Sequence, residues 1–274
     1  MIIDGKKISE EILMELKKEI SDKKLSLKLA AILVGDDPEF KKFVDLKGGA
    51  AEKIGVTFTI YKFSSDVKED ELRKDIQEIL KWSDGVLVEL PLPKHIDQQT
   101  ILNEIPVGQD VDVLSDEAQK LFYENKSKIN PPAVEALKIV LEKHNISLKG
   151  KKIAVFGQGI LIGKPISHWL EQQGAEVFRI RSKTENPEKL SIKADIIVAG
   201  VGNPGLITDE MVREGAVVID FGYGKKDGKM VGDVDFDSVS AKTSLITPVP
   251  GGMGPILITA VLKNLVKLKM KNEK

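Results

Sequence analysis

The chain has 274 residues, which at roughly 150 per domain is room for one large domain or two ordinary ones, each with a core of its own. Its 41 basic and 42 acidic side chains give a formal net charge of −1, so charge supplies no reason to expect nucleic acid or an anionic membrane as partner. A composition of 42% hydrophobic and 30% charged residues is that of a soluble globular protein, and the lack of cysteine excludes disulfides, thiol nucleophiles and cysteine–metal sites. His95, His144 and His168 lack the local spacing of a zinc site, so no metal centre is expected. The N-terminus reads as no secretory signal, and no uncharged apolar run is long enough to span a membrane. The expectation is a cytoplasmic protein.

Along residues 8–24, Ile8, Ile12, Leu16 and Ile20 recur every four positions, the stripe of an amphipathic helix. LKLAAILVG (27–35) reads as a buried strand stopped by glycine. Asp36-Asp37-Pro38 then opens a helix reaching about Ile54, in spite of Gly48-Gly49. VTFTIYKF (56–63) is β-branched and alternating, hence a strand, and 68–82 is a helix with Leu72, Ile76, Ile79 and Leu80 on one face. GVLVELPLP (85–93) is a strand that runs into prolines. Such a βαβαβ alternation calls for a parallel sheet covered by helices. Residues 106–131 interrupt it with a loop and one short helix, and Ala133 to His144 is helical again.

A second alternation begins at 151. KKIAVFG, AEVFRI, ADIIVAGVG, AVVIDFG and SLITPV read as five strands, with a glycine- and charge-rich loop before the fifth and a long helix after it. The fold class is therefore α/β, as two three-layer domains that meet near 146–151.

Gly157, Gly159 and Gly163 directly follow an apolar strand and precede a helix. Such a turn lets backbone N–H groups approach a pyrophosphate at a helix N-terminus. The spacing G-x-G-x-x-x-G is one residue longer than the usual dinucleotide fingerprint, and a tight turn with no ligand is the plain alternative. At the end of the next strand an NAD site usually has Asp or Glu for the ribose 2′-hydroxyl. Here stand Arg179, Arg181, Ser182 and Lys183, with no acid before Glu185, which suits a 2′-phosphate and favours NADP. A solvated basic edge would read the same way, and only part of the cluster can meet one phosphate.

In the N-terminal half, Phe43 and Lys47 share a helix face, and Glu89 lies near the carboxyl end of a strand, where open α/β sheets hold ligands. Asp110 and Asp112 flank Val111 in the interrupting loop. Taken singly, each would pass for an ordinary polar residue.

Taken together, the chain resembles the bifunctional methylenetetrahydrofolate dehydrogenase/methenyltetrahydrofolate cyclohydrolase family over nearly its whole length. ITPVPGGMGPIL (246–257) is similar to the family's TPVPGGVGP signature, DGVLVELPLP (84–93) to DGILVQLPLP, QDVDV (109–113) to KDVDG, and GQGILIGKP (157–165) to G-x-S-x-x-V-G-x-P. IIDGK (2–6), GVGNPG (200–205), GAVVIDFG (215–222) and VGDVDF (231–236) fall in the same order. The resemblance implies a folate-handling catalytic domain (1–146 with 255–274), a Rossmann-type NADP domain (147–254) and a cleft between them. It implies oxidation of 5,10-methylenetetrahydrofolate by NADP, hydrolysis of the methenyl product to 10-formyltetrahydrofolate, and a homodimer. Lys47 falls at the catalytic lysine and Asp112 at the pterin-binding acid, with Glu89 beside them as a catalytic candidate. Phe43, Pro250, Gly251 and Gly252 fall on the substrate side. Gly157, Gln158, Gly159, Gly163, Arg181, Ser182, Lys183 and Tyr223 are the cofactor candidates.

The departures from the family cluster in the site. Its Y-V-x-x-K reads Phe43-Val44-Asp45-Leu46-Lys47, its glutamine before LPLP is Glu89, and its usual serine at 40 is Phe40. Its P-C-T-P-x-G reads Ile129-Asn130-Pro131-Pro132-Ala133-Val134, the glycine of DVDG is Val113, and the cofactor-turn serine is Gly159. A carboxylate beside an amine favours the ammonium, so a Lys47–Glu89 pair would give a good electrostatic anchor and a poor base. Hydride transfer, which needs aligned rings, should then survive better than hydrolysis, which needs a proton-transfer group. Alternatively Glu89 itself serves as the base. Two other readings stand beside the enzyme: a different two-domain NADP oxidoreductase of the shikimate-dehydrogenase type, against which TPVPGG argues, and a nucleotide- or folate-binding relative that has lost turnover.

Overall fold

The computed structural model describes residues 1–272, which divide into two compact units. Glu10–Pro132 and the chain from Ile258 onward form one; Met1–Ser9 and Ala133–Leu257 form the other. Among the described residues no helix is long and apolar enough to cross a membrane.

The first unit takes in most of α1 (Gly5–Asp22), then β1 (Lys28–Val34), α2 (Pro38–Lys53), β2 (Thr57–Phe63), α3 (Glu69–Leu80), β3 (Gly85–Val88), α4 (Gln98–Leu102) and α5 (Asp116–Tyr123). Its three strands are parallel in the order β2-β1-β3. Every residue of β1 after Lys28 is buried, as expected of a strand covered on both faces. Leu72, Ile76 and Ile79 of α3 pack with Ile32, Val86 and Val88 in one core, so the four-residue apolar spacing does bury that helix face. The strand read through VELPLP stops at Val88, because Pro91 and Pro93 have no N–H to give a ladder; the Leu90–Pro91 peptide is cis.

The second unit holds α6 (Pro132–Lys143), β4 (Lys152–Phe156), α7 (Gly163–Gln172), β5 (Glu176–Ile180), α8 (Pro187–Ser191), β6 (Ile196–Ala199) and β7 (Val217–Asp220). After these come β8 (Gly224–Lys226), β9 (Lys229–Val231), α9 (Phe236–Ser240), β10 (Leu245–Ile246) and the first turn of α10 (Met253–Asn272). Five parallel strands run in the order β10-β7-β6-β4-β5 around a core that includes Phe156, Ile197, Val218 and Ile246. Ile2 bridges to Ile246, and Ile3 N–H donates to the Ile246 carbonyl at 2.9 Å, which ties the N-terminus to this sheet. The charge-rich loop is instead the hairpin β8–β9. Its turn, Asp227 and Gly228, has φ of +51° and +74°, the pair of positive values that a two-residue hairpin turn requires.

Gly48 and Gly49 lie inside α2, which runs unbroken through them. A Cβ on Gly48 would sit 2.9 Å from Cδ1 of Phe58 on β2, whereas one on Gly49 would meet nothing within 4 Å. Helix-on-strand packing therefore explains the first glycine, and the second has no steric cause. Gly49→Ala is expected to stabilise the protein by about 1 kcal/mol in urea unfolding, the usual helix-propensity difference, while Gly48→Ala gains less or loses stability.

Candidate active site

Both sheets reverse their strand order beside their first strand, and open α/β sheets take ligands outside the carboxyl ends at such a point. In the first unit the reversal lies between β1 and β3. The chain leaving β1 enters α2, which carries Phe43 and Lys47 one turn apart; Val44 and Ala51 of that helix are fully buried. Glu89 is the residue after β3, and its N–H still donates to the Ile32 carbonyl at 3.0 Å. Lys47 Nζ donates to Glu89 Oε1, and the two side chains are 19% and 9% exposed. The contact that the sequence left open is thus formed across the reversal point.

Asp112 arrives from the interrupting loop. That loop continues the sheet, since Val86 N–H donates to the Gln109 carbonyl at 2.8 Å and Asp110 bridges in parallel to Val86. Two residues further along both segments lie Val88 and Asp112, so the register brings the second carboxylate to the same strand end as Glu89. Burial pushes the Asp112 carboxyl up to about 7; the Lys47 ammonium opposes the rise, and Asp110 and Glu89 add to it. Phe43 is half-buried and has no hydroxyl to orient either charged neighbour.

In the second unit the reversal lies between β4 and β6, where the glycine turn sits. Gly157 has φ of +86°, and a Cβ on Gly163 would stand 1.9 Å from the Gly157 carbonyl oxygen, so the turn admits no side chain at 163. A Cβ on Gly159 would meet nothing within 4 Å, which leaves the space above that residue open. Gln158 braces the turn from within: its Nε2 donates to the Gly157 carbonyl at 2.8 Å and to Ser167 Oγ at 3.2 Å. The N-cap of α7, Ile162, offers no side-chain hydrogen bond to the helix N-terminus. Arg181, Ser182 and Lys183 are exposed just past β5 with no acidic partner among the residues before Glu185. Arg179 is committed elsewhere, with Nε and Nη2 donating to the two Glu171 carboxylate oxygens at 3.0 and 2.8 Å. These residues fit a dinucleotide with a 2′-phosphate: an open glycine turn, a helix start without a side-chain cap, and two cations, Arg181 and Lys183, in no ion pair among the described residues. Tyr223 is half-buried in the segment between β7 and β8.

Pro250, Gly251 and Gly252 form a tight turn before α10. The Gly251 carbonyl accepts from Gly5 N–H at 3.0 Å, and a Cβ on Gly5 would lie 1.8 Å from the Gly252 carbonyl oxygen. The IIDGK and TPVPGG segments are therefore two halves of one backbone contact.

Two buried carboxylates that sequence reasoning passed over shape this second unit. Asp233 accepts from Val201 and Asn203 N–H, each at 2.6 Å, and Asp220 accepts from Gly222 N–H at 2.7 Å and Val234 N–H at 3.0 Å. Burial drives Asp220 up to about 6 and raises Asp233 as well, against the pull of those N–H groups. Their signal was present in DFG and GDVDF, where an acid stands within two residues of a glycine at or just past a strand end, but only the fold shows which loops they staple.

Raising the pKa of a carboxyl on folding has a definite sign. Between about pH 4 and 7 the folded state holds more protons at Asp112 than the unfolded state, so this group's contribution to stability is lost as pH rises through that window. Asp112→Asn should therefore raise the melting temperature at about pH 8, corresponding to about 1 kcal/mol, with little gain near pH 4.

Two family models cover the chain in order, split in sequence between residues 112 and 131. The catalytic-domain model of tetrahydrofolate dehydrogenase/cyclohydrolase matches residues 3–112, and the NAD(P)-binding-domain model of that family matches 131–273. The bifunctional protein FolD of Nautilia profundicola is 40% identical over 97% of this chain and 96% of its own length. The solved FolD methylenetetrahydrofolate dehydrogenase/cyclohydrolase of Campylobacter jejuni superposes with a TM-score of 0.95 at 34% identity, covering 99% of both chains. The Trypanosoma brucei methylenetetrahydrofolate dehydrogenase-cyclohydrolase, solved with NADP and an inhibitor, gives a TM-score of 0.95 at 28% identity, covering 100% of this chain and 98% of its own. With both models matched in order and a relative 40% identical over 97% of the chain, this chain belongs to the tetrahydrofolate dehydrogenase/cyclohydrolase family.

Proposed function

We propose that the chain oxidises 5,10-methylenetetrahydrofolate with NADP to the methenyl form and hydrolyses that product to 10-formyltetrahydrofolate, hydride transfer outpacing hydrolysis. Family membership and the two strand-end sites support the pair of reactions. The imbalance rests on one observation, the Lys47–Glu89 ion pair.

Asp112 takes the polar edge of the pterin, its carboxylate accepting from ring N–H and amino donors. Pro250, Gly251 and Gly252 line the folate side, and Phe43 offers an apolar face. Gly157, Gln158, Gly159 and Gly163 would hold the pyrophosphate of NADP and Arg181, Ser182 and Lys183 its 2′-phosphate, with Tyr223 a further cofactor contact. Held by these residues, NADP would supply the hydride acceptor that oxidation of the one-carbon bridge requires.

Oxidation asks the protein for alignment, because no proton moves to or from a side chain. Hydrolysis asks for more. Water adds to the methenyl carbon, that carbon's bond to N5 breaks, N5 takes up a proton, and one proton is released overall. The water's proton needs an acceptor, and the Lys47 amine, whose Nζ already donates to Glu89 Oε1, is poorly placed to take it. Lys47 thus stabilises charge and orients the folate more than it moves protons.

Replacing the carboxylate by an amide separates the two roles. In Glu89→Gln, methenyl hydrolysis should rise about tenfold, a small part of what general-base catalysis can supply, while NADP reduction, followed by NADPH absorbance, changes less than about threefold. A collapse of hydrolysis would make Glu89 itself the base, and an absence of NADP reduction in the unaltered protein would remove the enzymatic reading. For the cofactor, Arg181→Ala with Lys183→Ala should raise KM for NADP at least about tenfold and leave NAD unaffected, whereas Arg179→Ala changes neither.

A further inference from the structure

The loop that carries Asp112 is built under strain. Val113 has φ of +59°, placing a β-branched residue in the left-handed region that its side chain disfavours. Such a conformation persists only where its surroundings over-determine it. Asp110, 2% exposed, supplies one restraint: its Oδ2 accepts from Leu114 N–H at 2.9 Å and from the N–H and Oγ of Ser115 at 2.8 Å each. Gln109 supplies another, its Nε2 donating to the Leu80 carbonyl at 2.9 Å and the Ser83 carbonyl at 2.5 Å.

The remaining restraint comes from α10. Asn264 is fully buried on the face that also presents Val261, Leu265 and Leu268 to the core. Both N–H bonds of its amide are used: Nδ2 donates to the Val111 carbonyl at 2.9 Å and to the Asn130 carbonyl at 2.8 Å. Its buried Oδ1 has no hydrogen-bond partner among the described residues. An amide placed in an apolar face at the expense of an unsatisfied oxygen is retained for its donors.

We propose that Asn264 is a positioning residue for the folate site: its amide fixes Val111, holds Val113 in its left-handed turn together with Asp110, and so keeps Asp112 at the strand end beside Glu89 and Lys47. Its place on α10 puts it outside the reacting groups; it acts through the loop backbone. The inference rests on the reading of Asp112 as a folate-binding group, but the mechanical part can be tested apart from it.

The test is a double-mutant cycle of Asn264→Leu and Val113→Gly. Glycine adopts a positive φ without restraint, so it removes the need for the brace. Asn264→Leu alone should raise KM for methylenetetrahydrofolate about tenfold, with kcat changed less than about threefold and NADP affinity unchanged. Adding Val113→Gly should bring KM back to within about threefold of the unaltered protein. Val113 is 2% exposed, so Val113→Gly also empties core volume; in thermal unfolding its cost should be clearly smaller when Asn264 is present than in Asn264→Leu, because only the braced turn has strain to release. Additive melting shifts, or a KM for folate that Asn264→Leu does not move, would overturn the proposal. Coupled melting shifts in a protein that turns over no folate would instead retire the functional reading and keep the brace. Should Asn264→Leu not fold, Asn264→Ser, which retains one donor, enters the same cycle, with a smaller rise in KM expected.

Discussion

Each of the two parallel sheets reverses its strand order beside its first strand, and that single topological fact decides where chemistry can be placed in this molecule. At the reversal the connections leave in opposite directions and open a gap at the carboxyl ends of two neighbouring strands. In the first unit that gap is filled by Lys47 from the helix after β1, by Glu89 from the end of β3 and by Asp112 from the segment that extends the sheet. In the second it is bordered by the turn at 157–163 and the loop that begins at Gly200. The residues concerned are separated by dozens of positions in sequence and converge because parallel strands all end on one side.

The charges at the first gap are in tension. Two carboxylates share one ammonium, and Glu89 has it by direct contact. Asp112 keeps only a longer-range share, which does not outweigh the loss of its water, so its carboxyl rises to about 7. An amide at position 89 would carry no charge, and Lys47 and Asp112 would answer to each other alone. A substitution that looks conservative in size therefore redistributes the electrostatics of the whole cluster. The consequence falls on proton transfer more than on binding.

Buried carboxylates also serve as staples in this fold. Asp110, Asp220 and Asp233 each accept two or more hydrogen bonds from neighbouring loop segments, and each is raised by burial yet partly compensated by those donors. A carboxylate with two oxygens can close a loop on both sides, which a hydroxyl cannot do as rigidly. Such staples allow connections to hold conformations that the chain alone would leave, Val113 being the clearest instance.

Much of this was legible in the amino-acid order. Apolar spacing announced the helices and strands, the glycine turn and the basic edge announced a dinucleotide with a 2′-phosphate, and short motifs in fixed order announced the family. The misreadings have local causes: proline ended β3 early, and Asp227-Gly228 made a hairpin where charge suggested a loop. Sequence also left Gly48 unexplained, because its reason is the Phe58 ring on a neighbouring strand. By itself the sequence determined composition, periodicity and motif order, since these depend on residues a few positions apart. Only the tertiary structure decided that Lys47 pairs with Glu89, that Arg179 is spent on Glu171 while Arg181 has no ion pair among the described residues, and that Asn264 reaches Val111. Those are choices among partners distant in the chain, and the register of packed strands and helices is what makes them.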